Sequence, residues 1–350
     1  MRHPSTFSTY FLLLLLVPIN AKPKVPAIFT FGDSSLDVGN NDNFITLAKA
    51  NYRPYGRDYE NQIPTGRFCN GKLTIDYASE TLGFSSPQPP YVTLSIKGDN
   101  LLNGACFASA GSGLDDATAQ QYNTISMNEQ LEFFKDYQRE LMKIAGKPKA
   151  LSIISDGIYF IGSGSCDFLL NYYINPVRYN AYTPYQYSDI LVQSYSDFIQ
   201  NLYALGARKI GVTTILPIGC LPAAITIFGF RSINKCVTKL NNVAIYFNQK
   251  LNSTTLNLRK KLPGVNLVVL DTNQLSYNIV NNPSQYGFIE ARRSCCGTGL
   301  IEVSLLCNQN SIGTCVNASQ YVFWDSFHPT DAFNKIMAAH LVSQASPILS

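Results

Sequence analysis

The 350-residue chain is poor in charge: Asp, Glu, Lys and Arg make up 14% of it, against roughly 25% in an average soluble protein. With 46% hydrophobic residues beside it, that scarcity excludes a mainly disordered chain. The formal net charge of +4 is too weak and too evenly spread to make nucleic acid the expected partner. Histidine is scarce, with three in all, and none of the nine cysteines forms a CxxC pair. A zinc site of Cys and His is therefore not expected. Repeats, low-complexity tracts and obvious linkers are missing too, so a single domain is the simplest organisation.

Long apolar runs are also missing, with one exception at the start. Arg2 and His3 precede the apolar stretch Tyr10–Val17, and Ala21 offers a small residue at a cleavage point. This reads as a secretory leader over residues 1–21, followed by one domain over 22–350. About ten apolar residues cannot cross a hydrocarbon core of about 30 Å as a helix, and no later stretch is a candidate anchor. Losing Arg2 with the leader takes the charge from +4 to +3. All nine Cys lie after residue 21, and export permits them to form disulfides. Asn252-Ser-Thr and Asn317-Ala-Ser are acceptor sequons for glycans, whereas Asn282-Pro-Ser is blocked by its proline. No retention signal stands in Ser346–Ser350, so the expected destination is extracellular, with the vacuole as the other candidate.

Four apolar runs have the character of buried parallel strands: Pro26–Phe31, Gly157–Ile161, Lys209–Leu216 and Val265–Leu270. Helical patterns lie between them. Ser126-Met-Asn-Glu129 is a capping-box signature, with Leu131, Phe134, Leu141 and Ile144 at helical spacing and Gly146 as the stop. Thr183-Pro184 opens a second helix whose apolar positions run from Tyr187 to Leu205. A third runs through Val243, Phe247, Leu251, Leu258 and Leu262. Strands alternating with helices predict a parallel sheet covered on both faces. In such sheets ligands bind beyond the carboxyl ends of the strands.

The first strand runs out into Gly32-Asp-Ser-Ser35. Gly32 permits a tight turn, and Ser34 would emerge at the strand end. A serine nucleophile needs a base, and His is the usual one. Past the leader only His328 and His340 remain. His340 sits in an apolar helical stretch and reads as structural. His328 sits in a loop, three residues after Asp325. That spacing allows the carboxylate to hold Nδ1–H and leave Nε2 for a hydroxyl. The competing reading makes Asp325 a cap for its own loop. Tyrosines between Tyr159 and Tyr203 fall largely at helical spacing, which favours packing. The segment 171–176 that follows the third strand end is a candidate pocket wall.

Phe31-Gly-Asp-Ser34 with Asp37-Val-Gly-Asn-Asn41, joined to Asp325-Ser-Phe-His-Pro-Thr330, resembles the secreted plant GDSL-type esterase/lipase family of SGNH hydrolases. Pro64-Thr-Gly-Arg-Phe-Cys-Asn-Gly-Lys72, Gly104-Ala-Cys-Phe-Ala-Ser-Ala-Gly-Ser-Gly113, Leu216-Pro-Ile-Gly-Cys-Leu-Pro222 and Cys295-Cys-Gly-Thr-Gly299 extend the similarity over nearly the whole chain after the leader. The resemblance implies a flavodoxin-like three-layer α/β/α sandwich. It implies a monomeric ester hydrolase, without metal or organic cofactor, acting on lipid or acylated small-molecule or polysaccharide esters. Ser34 becomes the nucleophile, His328 the base and Asp325 its orienting acid. Ser34 and Gly104 become oxyanion donors through their N–H groups. Activity is then expected to rise with pH as His328 loses its proton.

One block departs from the pattern. Where the family carries Gly-x-Asn-Asp, this chain reads Gly164-Ser-Cys-Asp167, so Cys166 stands at the third oxyanion position. A thiol donates far more weakly than an amide, and losing one such donor costs about a hundred- to a thousandfold in rate. Two alternatives therefore stand beside the esterase: an acyltransferase using the same acyl-enzyme, and an impaired hydrolase kept as a secreted binding protein. The expected pairings are Cys220 with Cys236 and two bridges among Cys295, Cys296, Cys307 and Cys315. Cys166 is expected free, and Cys69 and Cys106 are left unassigned.

Overall fold

In the computed structural model, residues 23–92, 98–230 and 235–349 are described; the expected leader over residues 1–21 lies outside them. The first half of the chain forms β1 (Ile28–Gly32), α1 (Thr74–Thr81), β2 (Gly104–Cys106), α2 (Asp116–Tyr122), α3 (Met127–Ala145), α4 (Lys147–Asp156) and β3 (Ile158–Gly162). There follow α5 (Pro176–Ala181), α6 (Pro184–Ala204), β4 (Lys209–Thr213), α7 (Pro222–Phe228), α8 (Thr238–Lys261), β5 (Asn266–Leu270) and α9 (Asn273–Asn281). The chain closes with β6 (Glu290–Ser294), β7 (Tyr321–Phe323), α10 (Asp331–Gln344) and α11 (Ser346–Leu349).

Strands β1 to β5 make one parallel sheet in the order β2-β1-β3-β4-β5, the flavodoxin-like order. Strands β1 and β3 are buried along their length, and β4 is buried in its middle three residues. Phe29 and Phe31 turn one way, onto Phe134 of α3 and Phe198 of α6. Gly211 of β4 turns the other way, toward Ile348 of α11. The sheet is thus covered by helices on both sides.

The helices begin where their capping residues stand. Ser126 and Glu129 close a reciprocal capping box on α3, and Gly146 follows its end. Thr183 accepts from Gln186 N at the start of α6, with Pro184 in the first turn. A second, two-stranded parallel sheet of β6 and β7 stands over a small separate core containing Tyr55, Phe68, Trp324 and Cys296. The order reverses between β1 and β3, so their carboxyl ends flank the crevice where such folds place ligands.

Candidate active site

Ser34 lies two residues beyond β1. Gly32 has φ +139°, and a Cβ there would come within 1.9 Å of the Gly162 carbonyl oxygen. Only glycine lets the chain pass β3 so closely and turn. Asp33 N then donates to Gly162 O at 3.0 Å. The Asp33 carboxylate accepts from Ser35 N (3.0 Å) and Ser35 Oγ (2.8 Å), locking the turn. The Ser34 side chain is thereby held inward, and its residue is 8% exposed.

His328 comes from the tight turn between β7 and α10. Pro329 bridges back to Phe323, and Trp324 N donates to His328 O at 2.8 Å. Asp325, fully buried, collects the donors of this turn: Phe327 N at 2.9 Å, His328 N at 2.8 Å and Tyr55 OH at 2.7 Å. His328 Nδ1 lies 2.8 and 2.9 Å from its two oxygens. A carboxylate only accepts, so Nδ1 carries the proton and Nε2 is left to accept. Nε2 sits 2.8 Å from Ser34 Oγ. Asp325 therefore both caps its loop and holds the imidazole; the two readings of the sequence describe one carboxylate. The Phe68 ring packs on the imidazole at 4.7 Å between centroids, and Phe68 is anchored beside the buried Arg67–Asp76 ion pair.

The turn leans on a disulfide cluster. Cys295–Cys315 and Cys296–Cys307 are bridged, as is Cys220–Cys236. Cys295 N donates to Phe323 O and Cys296 N to Trp324 O, at 2.9 and 2.8 Å. The expected Cys220–Cys236 bridge and the two bridges inside the cluster are thus found. Cys69, Cys106 and Cys166 are free thiols.

Gly104 is not at this site, and its expected role is corrected. It pairs with Ile28 at the entry end of β1, and a Cβ on it would strike Ile28 O at 1.9 Å. Its φ of +92° and lack of a side chain serve strand packing at the end of the sheet remote from Ser34. The same block reaches the site seven residues later. The Gly111 N–H points at the Cys166 sulfur, which also lies within hydrogen-bond reach of Ser34 Oγ. Gly111 is held by its neighbours. Ala110 N donates to Asp37 Oδ2 (2.8 Å), Ser109 N to Gly32 O (3.0 Å) and Leu114 N to Asp167 Oδ2 (2.8 Å). Burial, with Asp33 and Asp167 close by, pushes the Cys166 thiol well up, so it stands as neutral S–H. Ser34 N–H has no acceptor among the described residues.

The remaining sequence candidates fall elsewhere. Asn171 does not wall the Ser34 cavity; its Nδ2 bonds Thr118 and Tyr187 (2.9 and 3.1 Å) beneath α6. Tyr159, Tyr172, Tyr187 and Tyr195 are fully buried packing residues. His340 is structural, its Nε2 lying 3.1 Å from Asp271 O. Asn252 and Asn317 are exposed. A larger cavity of about 380 Å³ opens around Asp115 and Arg178, but these two pair with each other at 2.8 Å, away from Ser34. Sequence reasoning missed Tyr55 altogether, since nothing links it to a residue 270 positions away.

A hydroxyl, an imidazole and a buried carboxylate in this order, at the carboxyl end of a parallel sheet, form the constellation of the serine hydrolases. The model of the GDSL-like lipase/acylhydrolase family matches residues 28–341, and the chain belongs to that family. Similar proteins include three from Arabidopsis thaliana. GDSL esterase/lipase At5g22810 is 54% identical, covering 97% of this chain and 94% of the relative. GDSL esterase/lipase At5g03810 is 53% identical over 93% and 92%. GDSL esterase/lipase APG is 51% identical over 97% and 98%.

Proposed function

We propose that this carboxylic ester hydrolase works through a covalent acyl-enzyme on Ser34, with His328 as base and Asp325 as its orienting acid. The unbroken chain of contacts from Ser34 Oγ through His328 to Asp325 carries the reading. His328 Nε2 takes the hydroxyl proton as Oγ attacks the ester carbonyl. The imidazolium that forms is stabilised by Asp325 and then protonates the departing alcohol. Water repeats the sequence and frees the acid. The developing oxyanion is met by the N–H groups of Ser34 and Gly111. The intact chain of contacts supports turnover over an impaired binding protein. Three disulfides and exposed sequon asparagines fit a secreted glycoprotein that follows its leader out of the cell.

Cys166 S–H occupies the third donor position weakly. Cys166→Asn is expected to raise kcat on short-chain esters by about tenfold or more, since an amide N–H replaces a poor donor. Cys166→Ala is expected to lose less than about tenfold. Steady-state kinetics on p-nitrophenyl acetate read both. A rate for Cys166→Asn at or below wild type would remove Cys166 from the oxyanion site.

A further inference from the structure

The cavity at Ser34 continues sideways as a slot lined mainly by apolar side chains. Its floor includes Gly162 and Thr213, at the carboxyl ends of β3 and β4. Gly32 is in register with Gly162, and Thr213 with Leu270. A Cβ on Gly162 would come 2.9 Å from Thr213 Oγ1 and 3.2 Å from Leu36 Cδ1, so the space above this floor exists because Gly162 has no side chain. The roof is one stripe of α10, Phe333, Met337 and Leu341, four residues apart and hence on one face.

α10 lies across the sheet. At its start Asp331 Oδ1 accepts from Lys72 N beside α1 (2.6 Å). Near its end His340 touches Asp271, just beyond β5 (3.1 Å). From Phe333 to Leu341 is about 12 Å of helix. From β1 to β5 is three strand spacings, about 14 Å. The cavity has a volume of about 130 Å³. Two of the hydroxyls along it, those of Thr214 and Thr272, are already engaged, while that of Ser163 has no hydrogen-bond partner among the described residues. Thr214 Oγ1 donates to Asp271 Oδ1 (3.1 Å), and Thr272 Oγ1 to Thr214 O (2.5 Å). The far end is closed by Leu341 and Thr272, both buried.

We propose that this slot binds the acyl chain, and that it selects unbranched saturated acyl groups of medium length, with about ten carbons filling the 12–14 Å run. The inference rests on Ser34 being the acylated residue. A blind slot suits the group that stays covalently attached through both half-reactions. The alcohol has to leave and water has to enter, and both need the open mouth.

The test uses the full chain without its leader and two ester series, one varying the acyl length and one the alcohol. kcat/KM is expected to rise about two- to fourfold per added CH₂ of the acyl group up to about ten carbons, then fall. The alcohol series is expected to show no such optimum. Met337→Trp fills the slot and is expected to lower the decanoate-to-acetate ester ratio at least tenfold. Met337→Ala opens it and should move the optimum to longer chains; it guards against misfolding of the larger substitution. Calorimetric titration with decanoate gives a readout that needs no turnover, and Met337→Trp is expected to weaken that binding about tenfold. A flat acyl profile, an optimum confined to the alcohol series, or a profile that neither variant moves overturns the slot while leaving the hydrolase standing. If wild type hydrolyses no ester, the hydrolase reading falls. Decanoate binding that Met337→Trp weakens then still supports the slot, and absence of binding overturns it.

Discussion

Ser34→Ala is expected to cut kcat/KM on short-chain esters by about 10⁴-fold or more, to the level that binding and oxyanion donors sustain alone. Cys166 lies beside Ser34, and its thiol is held neutral by burial and two neighbouring carboxylates. A protonated, poorly solvated thiol is a poor nucleophile. The fold should barely respond, because the hydrogen-bond partners of the Ser34 side chain among the described residues are the His328 ring and the Cys166 sulfur. The measurement pairs ester kinetics with thermal unfolding and with labelling by a fluorophosphonate. Wild type should take up one label per chain and Ser34→Ala none. A variant that keeps more than about a hundredth of the wild-type rate would point to another nucleophile.

Asp325→Asn should come close behind, with a loss of about 10³–10⁴-fold in kcat. The carboxylate accepts from two backbone N–H groups, the Tyr55 hydroxyl and His328 Nδ1. An amide brings one accepting oxygen and an NH₂ that faces donors. The imidazole is then driven to carry its proton on Nε2, where it confronts Ser34 Oγ and cannot act as base. A buried mismatch of this kind also costs stability, so unlike Ser34→Ala this variant should melt at a lower temperature. Tyr55→Phe separates the two effects. It removes one donor from Asp325 while leaving the His328 contact, and a loss of about tenfold or less is expected for a group acting only through its neighbour. A Tyr55→Phe variant as slow as Asp325→Asn would show that the tyrosine touches the reacting atoms.

The strands were legible where burial on both faces enforces an unbroken apolar run, as in Ile158–Gly162, and also at the partly exposed edge strand Asn266–Leu270, whose run Leu267–Leu270 is apolar. β2 was not, because Gly104–Cys106 is three residues long and lies at the sheet edge. β6 reads Glu-Ala-Arg-Arg-Ser; bridged cysteines and the pairing with β7 hold it in place, and no hydrophobic pattern marks it. Ser34, Asp325 and His328 could be picked out because histidine is so scarce. Gly104 shows the limit of a block match. The block does reach the neighbourhood of Ser34, but a short strand separates its first glycine from Gly111, and spacing alone does not say which end of a strand faces the site. Tyr55 and Phe68 reach the triad from a loop more than 250 residues away in sequence, a contact that only tertiary packing creates.

Ser34 and His328 are secured by different means. Ser34 hangs from the central sheet, whose hydrogen bonds and apolar burial survive in any compartment. The turn bearing Asp325 and His328 is clasped by Cys295 and Cys296, whose bridges persist only under oxidising conditions. Chain made and kept among cytosolic thiols would own a serine without a steady partner. The two bridges thus tie a working site to an oxidising compartment, and a reductant titration of activity against folding is expected to show activity lost before the fold.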